Sequence, residues 1–529
     1  MGLELTQSGV GSPVNRVPSH PHEIVLRTML EHQAAEIGDK EAIRFEDGER
    51  WSYGELVHHG YAAANVLAAR GVRRGDTVLI FLPNGPDWIR AWLGVAFLGA
   101  IVVPVNSAAK GKFLAHVCQD SRAELIITDE NLAPRLEQVD VRLRRLLGAE
   151  LAGGDRRAPS LDRPLEPWDP IYINYTSGTT GPSKGALTSN LCAAMTAHEP
   201  FNKYVLPTDC LLADLPMFHT SGQAPTFGFW SAGARVVRRE VFSASRYLDI
   251  ARETGATHSF LVGTMAGMLL AQPEKPDDAD NPLRRILVTP MVGDPEGFMR
   301  RFGLENIFVC YGPTETGAVT ILNDPTPNTK ALGVPRAGLD VRVVDEHDIP
   351  VPDGTPGELV VRSDRPWELM TEYWGRPEAT AKAWRNGWYH TGDAVVREPD
   401  GQLYFSDRIT DSLRRRGENI SSFEVESSGL SFPGVQEIAC VSVPGDIEGD
   451  IEVKVYVVPQ PGKTVAPDEL VLHMARELPY FAVPRFVDLV DELPKTPTAK
   501  IRKVELRERG NGPQTWDRVK AKIQINRTT

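Results

Sequence analysis

The sequence predicts an α/β protein with a large N-terminal domain and a small α+β C-terminal domain. Its 529 residues are too many for one hydrophobic core, so at least two domains are expected. Up to about residue 320, short apolar runs alternate with helical patterns, which is typical of parallel sheets joined by helices. Beyond about residue 330, alternating runs separated by Pro, Gly and Asp turns indicate antiparallel strands.

The large domain is predicted to hold two parallel-rich sheets. Each predicted strand is short and mainly apolar, as expected for a strand covered by helices on both faces. The helix-like stretch Asp87–Gly99 separates the first two strands. The predicted strands are Thr77–Leu82, Ile101–Val105, Glu124–Thr128, Ile171–Tyr175, Cys210–Leu215, Ala234–Val237, Ser259–Val262, Ile286–Val288 and Asn306–Cys310.

Two further regions follow along the chain. Residues 330–405 are predicted to form a small β-barrel-like subdomain, because Val341–Val344 and Glu358–Arg362 alternate between turns. The C-terminal domain is predicted to have a helix at Asp468–Leu478 and strands at Glu437–Val443, Ile451–Val458 and Phe486–Val490. The predicted division is therefore a disordered tail over 1–20, an N-terminal domain over 21–409 and a C-terminal domain over 410–529.

Composition narrows the classes of partner. The net charge of −12 without a long basic stretch argues against nucleic acid as the main partner. Five scattered cysteines without a CxxC pair fit a reducing cytoplasm and give no zinc or disulfide framework. The longest apolar stretch, Trp88–Leu98, carries Arg90 and is too short to span a bilayer. A cytoplasmic protein is therefore expected.

The segment Tyr175–Gly185 carries the strongest chemical signal. It combines three glycines, several hydroxyl residues and Lys184, directly after the apolar run Ile171–Tyr175. A strand that ends in such a loop can surround an anion with backbone N–H groups and hydroxyls. It is not a Walker A loop, because Lys184 is followed by Gly185. A flexible Gly/Ser linker would explain the glycines but not the lysine or the strand before it.

A second cluster, Tyr311–Gly317, reads Tyr-Gly-Pro-Thr-Glu-Thr-Gly and follows the predicted strand Asn306–Cys310. Ligands of open α/β sheets bind at the carboxyl ends of the strands. Tyr311 can stack on a base, and Glu315 can hold a Mg²⁺ ion that neutralises phosphates. The alternative is an ordinary surface turn.

Three single residues give weaker signals. Asp393 lies in a Gly turn and can accept hydrogen bonds from both ribose hydroxyls, although an Asp that caps a turn fits the spacing equally well. His219 lies just beyond an apolar strand, where a lone histidine is more often structural. Lys500 lies in a proline-flanked loop near the C-terminus, where an isolated lysine is usually solvated.

In their order, these five clusters resemble the motifs of the adenylate-forming superfamily of acyl-CoA synthetases, peptide-synthetase adenylation domains and luciferases. The resemblance covers about residues 25 to 510 and includes Gly392-Asp393, Asp407-Arg408 and Arg416–Ile420. The stretch from Asp407 to Glu426 looks closest to the crotonobetaine/carnitine-CoA ligase-like subgroup.

The resemblance implies an AMP-forming acid:CoA ligase. A carboxylate attacks the α-phosphate of ATP to give an acyl-adenylate and pyrophosphate, and the thiol of coenzyme A then displaces AMP. In this scheme Lys184 holds phosphates, Glu315 holds Mg²⁺, and Tyr311 packs on adenine. The implied nucleotide-binding residues are Thr176, Ser177, Gly178, Thr179, Thr180, Lys184, Tyr311, Gly312, Thr314, Glu315, Asp393 and Arg408.

The resemblance also implies a mobile C-terminal domain. Lys500 would bridge the carboxylate and the α-phosphate in the first step. The domain would then rotate about a hinge at Thr410 and withdraw Lys500. The channel for the thiol of coenzyme A would be formed by Arg416, Gly417 and Glu418. The implied catalytic residues are Lys500, Glu315, His219 and Thr176.

The acid itself is not identified by the motifs. No acidic residue follows His219 until Glu240, which argues against an amino-acid substrate. Met291 and the aromatic residues around Phe227 favour an apolar, bulky acid. By family position, the expected pocket residues are His219, Gln223, Val262, Met291, Val292 and Gly317.

Three departures from the family pattern leave alternatives open. Pro290–Gly293 replaces the usual Gly-Gly-Ala of the pocket wall, Ala499 replaces the usual glycine before Lys500, and the hinge position holds Thr410. Ala499 and Thr410 lie in segments that switch between the two half-reactions. The alternative is therefore an enzyme that only adenylates its acid and hands acyl-AMP to a partner. A non-catalytic nucleotide-binding protein is a remote one. A homodimer is left open, and the Ala-, Arg-, Gly- and Pro-rich composition hints at specialised metabolism.

Overall fold

The structure, a computed structural model, describes residues 20–176, 182–201, 204–289, 291–323, 331–408, 412–415, 418–447, 450–494, 501 and 503–525. The strands of the large domain are β1 (Glu41–Phe45), β2 (Arg50–Ser52), β3 (Thr77–Phe81), β4 (Ile101–Pro104), β5 (Leu125–Thr128), β6 (Arg144–Leu147), β7 (Pro170–Thr176), β8 (Lys184–Ser189), β9 (Cys210–Ala213), β10 (Arg235–Arg238), β11 (His258–Val262), β12 (Arg285–Thr289), β13 (Asn306–Tyr311), β14 (Thr320–Leu322), β15 (Ala331–Pro335), β16 (Leu339–Val344), β17 (Gly357–Ser363), β18 (Glu372–Tyr373), β19 (Trp384–Arg385), β20 (Trp388–Arg397) and β21 (Leu403–Arg408).

The helices of the large domain lie mainly between these strands, as the alternating pattern predicts. They are α1 (Pro21–Ile24), α2 (Leu26–Ile37), α3 (Tyr53–Ala69), α4 (Pro86–Phe97), α5 (Gly111–Asp120), α6 (Ala133–Glu137), α7 (Asn190–His198), α8 (Thr220–Ser231), α9 (Tyr247–Thr254), α10 (Gly263–Leu270), α11 (Pro295–Phe302) and α12 (Pro377–Ala383). Short 3₁₀ turns occupy Gly148–Gly153 and Ala244–Arg246.

The larger sheet has fourteen strands, in the order β16-β17-β20-β21-β15-β14-β13-β12-β11-β9-β10-β1-β2, with β19 beside β20. Its strands from β13 to β1 pair in parallel, as predicted. The strands of the predicted β-barrel-like subdomain pair antiparallel and extend this sheet beyond β14. Within the described residues these strands do not close into a barrel, because β15 pairs with β14 on one side and with β21 on the other.

The second sheet has seven strands in the order β18-β8-β7-β4-β3-β5-β6, and its members from β7 to β6 are parallel. Helices from both sheets share one apolar core. Trp92 of α4 stacks on Trp230 of α8 with ring centroids 5.6 Å apart and lies 6.4 Å from the ring of Tyr172 on β7. All three rings are buried, so this core fixes α8 relative to β7.

The C-terminal region has the predicted α+β composition. It contains a hairpin, β22 (Ser412–Arg415) and β23 (Glu418–Ser421), and a four-stranded sheet of β24 (Val435–Pro444), β25 (Ile451–Pro459), β26 (Phe486–Leu489) and β27 (Trp516–Asp517). Its helices are α13 (Ser422–Leu430), α14 (Pro467–Glu477) and α15 (Lys503–Arg509). Val425, Leu470 and Met474 are buried between the first two helices and this sheet.

None of the helices within the described ranges combines the length and apolar character needed to cross a membrane. Nearly all of the predicted tail, residues 1–19, lies outside the described residues.

Candidate active site

The predicted phosphate loop connects two antiparallel strands, β7 and β8. Thr176 ends β7 and Lys184 begins β8, and the two residues are direct partners across the antiparallel ladder. Ser189, the last residue of β8, caps α7 by accepting a hydrogen bond from the N–H of Cys192 at 3.0 Å. The strand pairing therefore holds Thr176 and Lys184 at the two ends of the loop.

Glu315 lies at the centre of a buried hydrogen-bonded group. Its Oε1 accepts a hydrogen bond from the hydroxyl of Thr176 at 3.1 Å and another from the hydroxyl of Tyr373 at 2.8 Å. The hydroxyl of Tyr389 is 3.3 Å from that of Tyr373. Glu315 is only 7% exposed, so these neighbours fix the direction in which its carboxylate points.

Tyr373 reaches this group because β18 pairs with β8, which sets Tyr373 opposite Ala186. The ammonium nitrogen of Lys184 lies 4.6 Å from the centroid of the Tyr373 ring, a distance at which a cation is attracted to the ring face. Burial lowers the pKa of Lys184, and the nearby charge of Glu315 opposes that shift. Burial also raises the pKa of Tyr373, so its hydroxyl stays protonated and able to donate.

Tyr311 and Asp393 also lie together. The hydroxyl of Tyr311, at the end of β13, donates to Oδ2 of Asp393 at 2.6 Å. Asp393 is on β20 and pairs with Arg408 of β21 in the ladder, so the backbone places Arg408 beside it. The predicted adenine and ribose residues are thus neighbours at one edge of the large sheet.

The turn that carries these residues requires glycine at two positions. A Cβ on Gly312 would lie 1.7 Å from the carbonyl oxygen of Gly317. Gly317 has φ +63°, and a Cβ there would lie 1.9 Å from Oγ1 of Thr196. This close approach places α7 directly against the turn that holds Thr314 and Glu315.

The loop that carries His219 is held by a buried arginine. Arg238 donates to the carbonyl oxygens of Leu215 at 2.9 Å and of Gly222 at 3.3 Å, and it also contacts the hydroxyl of Thr226. Because these acceptors lie on both sides of His219, Arg238 fixes the entry of the chain into α8.

The C-terminal hairpin contacts this loop. The Nε2 atom of His219 lies 3.0 Å from Oε2 of Glu418, and the side-chain amide of Asn106 donates to the same oxygen at 3.1 Å. These residues border a cavity, partly open to solvent, whose walls include Phe218 and Phe481. Glu418 is the one predicted channel residue that lies within the described residues, and it lines this cavity.

A second contact joins the C-terminal region to the phosphate hairpin. The backbone N–H of Ser183 donates to Oε1 of Glu424 at 3.2 Å. Burial raises the pKa of this carboxyl group to about 7. Lys112 of α5 also lies 3.2 Å from Glu477 of α14. The C-terminal region therefore contacts both the phosphate hairpin and α5.

The predicted pocket residues occupy three different places. His219 lines the cavity next to Glu418, and Gln223 lines a separate cavity next to Thr314. Val262, Met291 and Val292 belong to one buried apolar cluster, with exposures of 5%, 6% and 7%, and neither cavity lining includes them. Their role as pocket walls stays a prediction.

Several predicted residues lie outside the described residues. They are Ser177, Gly178, Thr179, Thr180, Thr410, Arg416, Gly417 and Lys500. Arg408 is described by its backbone alone.

Sequence reasoning missed Tyr373, Tyr389, Asn106 and Glu424. Tyr373 is 58 residues from Glu315, and Glu424 is 241 residues from Ser183, so no local spacing links these pairs. A local signal exists only for Glu424, which stands in the first turn of a helix close to the predicted channel residues.

The described residues contain no group of three or more His, Cys, Asp or Glu side chains that could hold a metal ion. A single buried carboxylate with hydroxyl neighbours, as at Glu315, still suits Mg²⁺. This ion is usually bound by one or two carboxylates and completed by substrate phosphates and water.

Comparisons with known proteins identify the family. The model of the family described as AMP-binding enzyme matches residues 30–374, and that of the AMP-binding enzyme C-terminal domain matches residues 424–500. The crotonobetaine/carnitine–CoA ligase of Citrobacter koseri is 30% identical over 513 residues, which cover 91% of this chain and 98% of that relative. The ligase of the same name from Salmonella typhi is also 30% identical, over 514 residues with the same coverage.

Solved structures are similar across most of the chain. The o-succinylbenzoate CoA synthetase of Bacillus subtilis, bound with its product analogue OSB-NCoA, is 25% identical with a TM-score of 0.80 and covers 91% of this chain and 98% of its own. ATP-bound MatB from Rhodopseudomonas palustris is 26% identical with a TM-score of 0.66, covering 92% and 98%. The predicted fold class is confirmed. The chain belongs to the AMP-binding enzyme family, and within it to the AMP-forming acyl-CoA synthetases.

Proposed function

We propose that this enzyme activates a carboxylic acid as an acyl-adenylate on the Glu315 side of the site and transfers the acyl group to coenzyme A through the cavity lined by His219 and Glu418. One observation carries the proposal. The C-terminal hairpin is docked so that Glu418 contacts His219 at 3.0 Å, which joins a C-terminal element to the loop beside the adenylating residues.

In the first half-reaction, the large domain supplies the groups that hold ATP. Lys184 and the hydroxyl of Thr176 stand at the mouth of the phosphate loop. Glu315, oriented by Thr176 and Tyr373, would hold a Mg²⁺ ion, which neutralises the charge of the phosphates. Asp393 accepts from Tyr311 and is positioned for a ribose hydroxyl. Lys500 would bring the carboxylate and the α-phosphate into contact.

The docked arrangement corresponds to the second half-reaction. The two solved structures compared above match this chain over nearly the same length and with nearly the same identity. The TM-score is nevertheless 0.80 for the synthetase bound with a CoA product analogue and 0.66 for the ATP-bound MatB. Because the fold is shared, a C-terminal domain placed as in the thiol-bound relative would account for this difference.

The cavity at the docked interface has the properties of a channel for a thiol arm. Phe218, Phe481 and Phe113 give it apolar walls, while Asn106, His219 and Glu418 provide polar groups. A pantetheine arm is mostly flexible chain with two amides, so it needs such walls with a few polar contacts. Ser183 lies on the same lining, next to the phosphate hairpin, so the channel points towards the acyl-adenylate.

The proposal is tested by incubating the enzyme with ATP, Mg²⁺, coenzyme A and a panel of acids, with mass detection of products. Acid-dependent release of pyrophosphate with an acyl-CoA and AMP is expected. If acyl-AMP accumulates without a thioester at saturating coenzyme A, the second half-reaction is wrong and the enzyme only adenylates. Lys500→Ala should abolish acid-dependent pyrophosphate release, and unchanged release would contradict the assigned catalytic role.

The division at residues 409 and 410 and the hinge at Thr410 belong to the same proposal. The two family matches, which end at 374 and begin at 424, support a boundary between them.

A further inference from the structure

A small cavity, partly open to solvent, begins beside Thr314 and lies between β7, α7 and α8. Thr314 is next to Glu315, so one end of this cavity reaches the place where the proposed function puts the acyl-phosphate bond. Gln223, one of the residues expected to line the acyl pocket, lies on its wall. The cavity is therefore placed to receive the rest of the acid.

The described lining of this cavity carries no charge. None of the lining residues is acidic or basic. They are Tyr172, Asn174, Thr188, Cys192, Ala193, Thr196, Thr220, Gln223, Ala224, Phe227 and Thr314. A buried ammonium group needs either a carboxylate or a cage of several aromatic faces. The aromatic residues of this lining are only Tyr172 and Phe227. The positive charge of a quaternary ammonium group would therefore have neither a carboxylate nor a full aromatic cage to stabilise it.

The wall does offer hydrogen-bonding capacity. The hydroxyl of Thr220 is buried and has no hydrogen-bond partner among the described residues. The side-chain amides of Asn174 and Gln223 bond each other at 3.4 Å in both directions, near the limit for a hydrogen bond, and the Gln223 amide also donates to the carbonyl oxygen of Met217 at 2.8 Å. A buried hydroxyl without a partner is unfavourable in the empty site and becomes favourable when a ligand supplies one.

Lining residues of the cavity are also firmly packed from behind. Thr196 of α7 packs so closely on Gly317 that a Cβ at that position would lie 1.9 Å from the threonine hydroxyl. Tyr172, another lining residue, belongs to the ring cluster with Trp92, which is fully buried. Both residues are therefore backed by packed atoms that cannot easily move aside for a long or bulky chain.

We propose that the acyl group is small and uncharged and carries a hydroxyl or carbonyl oxygen that bonds to Thr220 and the Asn174–Gln223 amides. This inference rests on the proposed function and deepens it. It differs from the bulky apolar acid that the sequence favoured. It also predicts that this enzyme does not use the quaternary ammonium acids after which its relatives are named.

The test uses acids that differ by one group. Carnitine is compared with 3-hydroxybutyrate, and crotonobetaine with crotonate, because each pair differs by the trimethylammonium group alone. Butyrate and decanoate are added as unsubstituted and long acids. The measured quantity is kcat/KM for acid-dependent pyrophosphate release by the full-length enzyme with ATP and Mg²⁺.

The neutral member of each pair is expected to exceed its ammonium counterpart by about a hundredfold or more, because an unpaired buried charge is costly. The hydroxy acid is expected to exceed butyrate by about tenfold. A higher value for either ammonium acid, or for decanoate, would overturn the inference while leaving the proposed function intact. No pyrophosphate release with these six acids would also overturn the inference, whereas no release with any acid of the wider panel would overturn the proposed function.

Thr220→Val removes the hydroxyl while keeping the side-chain volume. It is expected to reduce the preference for 3-hydroxybutyrate over butyrate to less than threefold, since the lost bond is worth about tenfold. The matched control is Thr208→Val, because Thr208 is exposed on the loop before β9. This control should keep the preference of the wild type. An unchanged preference in Thr220→Val would contradict the assigned role of this hydroxyl.

Discussion

Replacing Tyr373 by Phe isolates the group that orients Glu315. The change removes only the hydroxyl, which donates to Glu315 Oε1 at 2.8 Å, and keeps the ring beneath Lys184. Tyr373 is 6% exposed, so water cannot easily replace the lost donor. Glu315 keeps its second bond, from Thr176 at 3.1 Å. The carboxylate should therefore remain in place on average but with a wider range of orientations.

The size of the effect follows from the charge on the acceptor. A hydrogen bond to a charged group contributes about 1.5–3 kcal/mol, and about 1.4 kcal/mol corresponds to a factor of ten. Because Thr176 still holds the carboxylate, the lower end applies. We expect kcat for acid-dependent pyrophosphate release to fall about tenfold, and the Mg²⁺ concentration for half-maximal rate to rise, because Glu315 would hold the ion less well.

The assay is pyrophosphate release at a series of Mg²⁺ concentrations, with thermal unfolding of each variant as a check on folding. Tyr389→Phe is the matched control. Its hydroxyl contacts Tyr373 at 3.3 Å and makes no direct bond to Glu315, so its effect should be less than about threefold. A Tyr373→Phe enzyme with wild-type kcat and wild-type Mg²⁺ dependence would refute the view that this hydroxyl orients Glu315.

Three further predictions concern the docked interface and the turn. Glu418→Ala should slow acyl transfer from preformed acyl-AMP to coenzyme A by about tenfold, because the bonds from Asn106 and His219 are lost. Single-turnover kinetics of both half-reactions checks this prediction. A loss of rate confined to adenylation would contradict it. Burial raises the pKa of Glu424 from 4.5 to about 7 in the docked state, so docking takes up a proton and weakens as pH rises from about 4.5 to 7. The ratio of wild-type to Glu424→Gln transfer rates should fall over this window, and a ratio independent of pH would refute the contact. Gly317→Ala should lower the thermal midpoint by several degrees and reduce pyrophosphate release, because φ is +63° and a Cβ would lie 1.9 Å from a buried hydroxyl; a fully stable, active variant would contradict this close packing.

The fold was predictable where local pattern and tertiary pairing agree. The short apolar runs around Ile286–Val288 and Asn306–Cys310 were predicted as strands, and the structure has strands there, one or two residues longer. A single apolar stretch does not show which strand of which sheet it will pair with. The strands after residue 330 were therefore expected in a separate barrel, whereas they extend the large sheet through β14.

Local pattern can pick out candidate site residues in a turn after a strand, as it did for Glu315 after β13, whereas Asp393 was expected in a turn and lies within β20. Tyr373 was not predictable, because it acts through the pairing of a two-residue strand with β8. The partners of Glu418 and Glu424 depend on how the C-terminal region docks, which no local spacing encodes. The acyl pocket was the hardest part, because its walls come from β7, α7 and α8 and are uncharged.

The reaction path is tested most directly by an oxygen label. A substrate acid carrying ¹⁸O at both carboxylate positions is incubated with enzyme, ATP, Mg²⁺ and coenzyme A, and the products are weighed by mass spectrometry. If the carboxylate attacks the α-phosphate and the thiol then displaces AMP, one ¹⁸O is transferred to AMP and one stays in the thioester. Unlabelled AMP, or label in inorganic phosphate together with ADP, would contradict activation through an acyl-adenylate.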